Sequence, residues 1–225
     1  MYLNKSRREN LVKEGYCFVP ELKFNLAAKE AIESKKKIYS ENSNLHEKYL
    51  VSFNFDGFLN ELEDIAIELG YKKENVKKND VYRILRVCDQ THESEAYRGH
   101  FDSHIFTLVT PVNIPDTGKE DSGQLIIFPK VRKEPIQEFS NIIGKARFKL
   151  FNSKNGIKKL SEKQKPIVLD FSNNVPLLFL GRVTYHCNRP FKMKNNEKRV
   201  TMLTHFFDPS PSFGLGKVLR LLRNR

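Results

Sequence analysis

Tyr97-Arg98-Gly99-His100-Phe101-Asp102-Ser103-His104 sets two imidazoles and a carboxylate at alternate positions, ahead of the apolar run Ile105 to Val109. Side chains alternate along an extended chain, so His100, Asp102 and His104 are expected on one face. An imidazole and a carboxylate two residues apart can chelate one metal ion from that face. The other stretch rich in chemistry is Val183-Thr184-Tyr185-His186, followed by Arg199-Val200-Thr201. Two histidines and an aspartate from separate strands, His100, Asp102 and His186, make the facial triad of mononuclear non-haem iron, which leaves one octahedral face open. An HxD pair alone also arises as a turn histidine beside a capping aspartate. The order gives it weight here: the pair opens a strand-rich region, a single histidine follows on a late strand, and Arg-x-Thr begins the next.

Neighbouring residues have more than one reading. His104 could replace His100 in an Asp102-x-His104 pair, line the substrate side, or be a satisfied polar residue. Tyr82 and Arg83 could reach a ligand, though packing and surface charge suit them better. His205 alternates with Arg199 and Thr201 and is expected to face the interior in a structural role. His46 and His92 read as surface residues, and Cys187 should point away from His186.

Positioning these groups takes strands. Gly15 to Pro20 reads as a first strand after a helical start. Helical spacing then covers residues 24 to about 42, and again 55–69, where Leu59, Leu62, Ile65, Ala66 and Leu69 share a face. Asn54 or Asp56 could cap that second helix and Gly70 stop it. After Asn79, short apolar runs follow at 81–87, 104–113, 124–129, 147–151, 166–171, 176–180, 182–187 and 199–207. Turn residues separate them, such as Asn155-Gly156 and Ser172-Asn173-Asn174. The expected architecture is mainly β within an α+β class: an antiparallel jelly roll with N-terminal helices packed on one face. The domain is expected to span 1–208. The basic tail 209–225 reads as an amphipathic helix that could lie on the barrel, a partner, a second copy or a membrane surface.

With that order in view, the chain resembles the 2-oxoglutarate- and iron(II)-dependent oxygenases of the double-stranded β-helix superfamily, in the phytanoyl-CoA dioxygenase-like or prolyl hydroxylase-like branch. The residues that carry the resemblance are His100-x-Asp102, His186 and Arg199-x-Thr201. Glu14-Gly15-Tyr16-Cys17-Phe18-Val19-Pro20 and Gly123-Gln124-Leu125-Ile126-Ile127-Phe128-Pro129 support it. It implies that His100, Asp102 and His186 hold Fe(II), that Arg199 pairs with the distal carboxylate of 2-oxoglutarate, and that Thr201 donates to the same group. It further implies O2 as oxidant, succinate and CO2 as coproducts, and hydroxylation as the default outcome. Halogenating relatives lack the carboxylate that Asp102 supplies.

Composition sets the limits. The chain has 225 residues, 39% of them apolar and 17 of them Phe, which is enough for a substantial core. No run approaches the roughly 20 apolar residues that span a bilayer. Cys17, Cys88 and Cys187 form no CxxC pair, which points to a reducing, cytoplasmic setting. The net charge is +12, and residues 181–225 carry ten Lys or Arg against Glu197 and Asp208. This surplus suits an anionic or carrier-linked small-molecule substrate, or is a solvated face. Nucleic-acid demethylation is not expected, because no second arginine follows an Arg-x-Asn motif. Loops at 88–99, 115–122 and 130–146 are expected to select the substrate. Two alternatives keep the barrel: a cupin-like metalloenzyme without 2-oxoglutarate, and a non-enzymatic basic module for nucleic acid or anionic glycan.

Overall fold

A computed structural model describes residues 3–22, 54–78, 81–88, 96–115, 122–134, 138–191 and 198–209. Helix α1 (Lys5–Glu14) starts at Asn4, whose side chain accepts from the Arg7 amide, and ends at Gly15, where φ is +85°. Strand β1 (Tyr16–Phe18) follows. Helix α2 (Phe55–Glu68) is capped by Asn54 as its sequence suggests, with the Asn54 Oδ1 accepting from Gly57 N at 2.9 Å. Its buried residues Phe58, Leu59, Leu62, Ile65 and Ala66 form the stripe read from the helical spacing. The helix expected over 24–42, His46, His92 and the tail segment 210–225 all fall outside the described residues.

The remaining strands are β2 (Val81–Cys88), β3 (Phe106–Asn113), β4 (Leu125–Phe128), β5 (Ile167–Leu169), β6 (Leu177–Leu180), β7 (Tyr185–Asn188) and β8 (Arg199–Phe206). They form two antiparallel sheets, one ordered β1-β6-β3-β8-β2 and the other β5-β4-β7. Val109, Leu125, Ile127, Phe171, Leu177 and Phe179 fill the space between them. Helices α1 and α2 cover the outer face of the larger sheet, burying Leu11, Phe58 and Leu62 with Phe106, Leu178 and Phe206. This is a jelly roll with N-terminal helices on one face, as the sequence suggests.

One apolar run departs from expectation. Residues 147–151 are not a strand; they close helix α3 (Glu138–Phe148) and form the 3-10 turn Lys149–Phe151. A strand would bury Phe148 and Leu150 on one face, but Leu150 is 82% exposed, while Phe148 and Phe151, three apart, pack at 5.6 Å. The expected Asn155-Gly156 turn lies inside helix α4 (Lys154–Lys163), which Ser153 caps. Gly156 is needed there because a Cβ would sit 2.6 Å from the Phe151 backbone. Part of the expected 130–146 loop is therefore helical. Ile157 and Leu160 of α4 cover the outer face of the smaller sheet, against Ile126, Phe128, Tyr185 and Cys187. Among the described residues, no helix is long and apolar enough to cross a membrane.

Candidate metal centre

His100 and His186 are cross-strand neighbours. Their backbones exchange both hydrogen bonds, at 3.0 and 3.1 Å, and their ring centroids lie 4.3 Å apart. The segment 101–105 is a bend, not the start of a strand, and β3 begins only at Phe106. Within that bend the Asp102 amide donates to Gly181 O at 3.0 Å, which turns the carboxylate toward the two rings. Asp102 Oδ1 lies 3.7 Å from His100 Nε2, and Oδ2 lies 3.8 Å from His186 Nε2. Ligand atoms of His100, Asp102 and His186 all fall within 4.8 Å of one another.

The other face of each imidazole is already engaged. His100 Nδ1 lies 3.3 Å from Arg98 O, and His186 Nδ1 lies 3.2 Å from Thr184 O. A proton on Nδ1 then serves the carbonyl and leaves the Nε2 lone pair toward Asp102, the arrangement that metal-binding histidines adopt. Loss of hydration pushes both imidazoles below their ordinary value; around His100 the neighbouring His186 adds to this, although the His100 side chain remains 56% exposed. Burial alone would raise the Asp102 carboxyl, but His186, His205, His100 and the Thr107 hydroxyl overcome it and hold it well below the usual carboxylate range. Two neutral imidazoles and a carboxylate form a donor set that fits a divalent transition metal.

Around this centre the antiparallel register sorts the remaining residues. On β8, Arg199, Thr201, Leu203 and His205 face the interior, opposite Cys88, Arg86, Ile84 and Tyr82 of β2. Arg199 is buried, and its Nε has no hydrogen-bond partner. Burial draws its guanidinium down to about 10, with Arg86 pressing in the same direction. Arg86, Arg189 and Arg199 line one cleft with Asn188, Gly123 and Phe191. Arg86 Nη1 donates to Asn188 Oδ1 at 3.1 Å, and Asn188 is the next residue after His186 on the same strand face. Thr201 is buried two residues from Arg199.

His104 is not part of the triad cluster. It is buried and stacks on His205 and Tyr82, with centroids 5.1 and 6.2 Å away, because the bend breaks the alternation that would have aligned it with Asp102. Arg83 faces the other way and lies over the Phe55 ring at 4.5 Å. Cys187 points away from His186 into the cluster under α4, and burial pushes its thiol up to about 12.

The fold that carries this site is found elsewhere. No family model matches the chain, and no curated protein is similar to it in sequence. Among solved structures, the chain is similar to a prolyl 4-hydroxylase of Phytophthora capsici, with a TM-score of 0.52 at 11% identity over 99% of this chain and 71% of that one. It is also similar to SnoN, a non-haem α-ketoglutarate-dependent epimerase of nogalamycin biosynthesis, with a TM-score of 0.50 at 12% identity over 91% and 80% of the two chains. The likeness is one of fold: this chain shares the jelly roll of these two proteins. Within it, the described chain places a His-Asp-His cluster between the two sheets.

Three participants were not read from the sequence. Arg86 was within reach, because alternation from Tyr82 and Ile84 puts it on their face. Thr107, whose hydroxyl donates to Asp102, and Arg182, whose Nη1 donates to Ser103 O at 3.2 Å, carry no signal of type or spacing.

Proposed function

We propose that this chain is an iron(II)- and 2-oxoglutarate-dependent dioxygenase that hydroxylates an anionic or carrier-linked small molecule, with succinate and CO2 as coproducts. One observation carries the reading. A buried guanidinium with an unsatisfied Nε, Arg199, shares the barrel interior with the His100-Asp102-His186 cluster. A buried cation is costly unless an anion joins it, and a metal centre without a keto acid has no need of one. The same burial argues against a surface module for nucleic acid or glycan.

His100, Asp102 and His186 would hold iron(II), which when bound would supply dioxygen activation coupled to keto-acid decarboxylation. The chain's own residues do the rest. Arg199 presents a planar fork to the distal carboxylate of 2-oxoglutarate, a bidentate match that Lys could not make. Thr201 offers its hydroxyl to the same group. Arg86, held in place by Asn188, adds to the positive charge of the cleft, which Arg189 also lines. Phe179, 5.0 Å from the His186 ring, packs with Val109 and Leu203 as an apolar wall on the inner side of the centre, while His100 leaves its other side open to solvent.

The experiment is anaerobic. Metal-free protein receives Fe(II) and then 2-oxoglutarate, and the weak visible metal-to-ligand charge-transfer band is measured. The band is expected in wild type and absent in Asp102→Ala and His186→Ala variants that keep a folded circular-dichroism spectrum. Iron binding without the band would bring the cupin-like alternative forward. A band that survives in Asp102→Ala would remove the triad.

A further inference from the structure

We propose that Thr107 and His205 are positioning residues: a two-step hydrogen-bond relay that fixes the Asp102 carboxylate and reserves one of its oxygens for the metal. The inference rests on the metal-site reading above and goes beyond it to groups that never touch the ion. Thr107 Oγ1 lies 2.5 Å from Asp102 Oδ2 and 3.0 Å from His205 Nδ1, whereas His205 Nδ1 and Asp102 Oδ2 are 3.8 Å apart. All three residues are buried.

Proton counting sets the direction. A carboxylate only accepts, and a threonine hydroxyl has a single proton to give. The short contact takes that proton to Asp102 Oδ2. The Thr107 oxygen can then only accept from His205, so His205 must carry its proton on Nδ1. The relay runs His205 Nδ1–H to Thr107 Oγ1–H to Asp102 Oδ2. With Oδ2 engaged, the carboxylate cannot rotate freely, and Oδ1, 3.7 Å from His100 Nε2, is the oxygen left to face the ion. The register makes this possible: Thr107 of β3 lies directly opposite His205 of β8, and Tyr82 of β2 lies opposite His205 on its other side, with ring centroids 6.0 Å apart. The stack with Tyr82 and His104 holds the His205 ring in plane for its contact.

The test uses Mn(II), which binds such sites and does not cycle with oxygen. Its affinity is measured by electron paramagnetic resonance in wild type, Thr107→Val and Thr107→Ser. Valine keeps the shape and removes the hydroxyl; serine keeps the hydroxyl and removes a methyl. Loss of a hydrogen bond to a metal ligand typically weakens binding about 10- to 100-fold, so that loss is expected for Thr107→Val, with Thr107→Ser near wild type. Equal affinity in wild type and Thr107→Val would overturn the relay, as would a serine variant as weak as valine, since packing alone would then explain the effect. Wild type that binds no Mn(II) would instead remove the metal site itself. Nitrogen-15 NMR of the His205 ring gives a second reading that needs no variant: a proton on Nδ1 supports the relay, and the Nε2–H tautomer overturns it.

Discussion

At the scale of single residues, the His-Asp-His cluster is readable because residue type and order suffice to nominate it. His100, Asp102 and His186 are the residues that the sequence nominates, and the fold brings them together. His104 escaped such a reading because alternation holds only on a strand, and 101–105 bends. Arg199 carries the sharpest prediction here. Charge-assisted hydrogen bonds contribute about 1.5–3 kcal/mol, so Arg199→Ala should weaken 2-oxoglutarate binding roughly 10- to 150-fold. Titration of the anaerobic Fe(II) protein measures this, and an unchanged dissociation constant would place the anchor elsewhere.

At the scale of elements, the strands follow from short apolar runs separated by turn residues, whereas α3 and α4 are hidden, the latter behind an Asn155-Gly156 pair that reads as a turn. Helix α4 has only Ile157 and Leu160 as large apolar residues, and at the end of α3 Phe148 and Phe151 mimic a strand end until Leu150 is seen exposed. The turn between β6 and β7 is equally silent in sequence, yet it bears on the site. A Cβ on Gly181 would lie 2.8 Å from His104 O, 2.9 Å from Asp102 Cβ and 2.9 Å from Thr107 Oγ1. None of these can retreat without moving the bend that carries Asp102. Gly181→Ala should therefore cost about 1–3 kcal/mol through overpacking and also weaken Mn(II) binding. A urea midpoint and a metal titration on the same variant test both parts. Stability lost without any change in metal affinity would detach the turn from the site.

Across the whole molecule, a polar network ties the helical layer to the bend that carries Asp102. The Tyr71 hydroxyl, just beyond α2, donates to Glu134, and Arg182 Nε lies 3.1 Å from the same carboxylate. Arg182 then reaches Ser103 O, and Lys145 of α3 donates to Ser103 Oγ at 3.0 Å. Arg132 holds Arg182 O at 2.5 Å through Nη2 and lies 3.9 Å over the Phe101 ring. Burial pushes the Glu134 carboxyl from 4.5 up to about 7, against the pull of Arg182. A folded-state value above the unfolded one means that the native chain holds a proton the unfolded chain has released. That stabilisation is complete below pH 4.5 and is lost as pH rises through about 7. Glu134→Gln should flatten this slope, read as urea midpoints at pH 5 and pH 8; parallel slopes in variant and wild type would assign the dependence to other groups. Side chains this far apart in sequence, at 71, 134 and 182, give no local sign of meeting, which is why none of this network is legible in the chain.

The two sheets divide the proposed metal ligands between them. His186 belongs to the three-stranded sheet, while Asp102 hangs from Gly181 at the end of β6 and leads into β3 of the five-stranded one. Any ion held there is a staple across the sandwich. Its binding energy is added to the free energy needed to part the layers, about 2.7 kcal/mol at a hundredfold excess over the dissociation constant. Among the described residues the smaller sheet has three strands against five in the larger, so it should gain most: deuterium uptake by β4, β5 and β7 should slow on adding Mn(II), while β3 and β8, inside the larger sheet, change little.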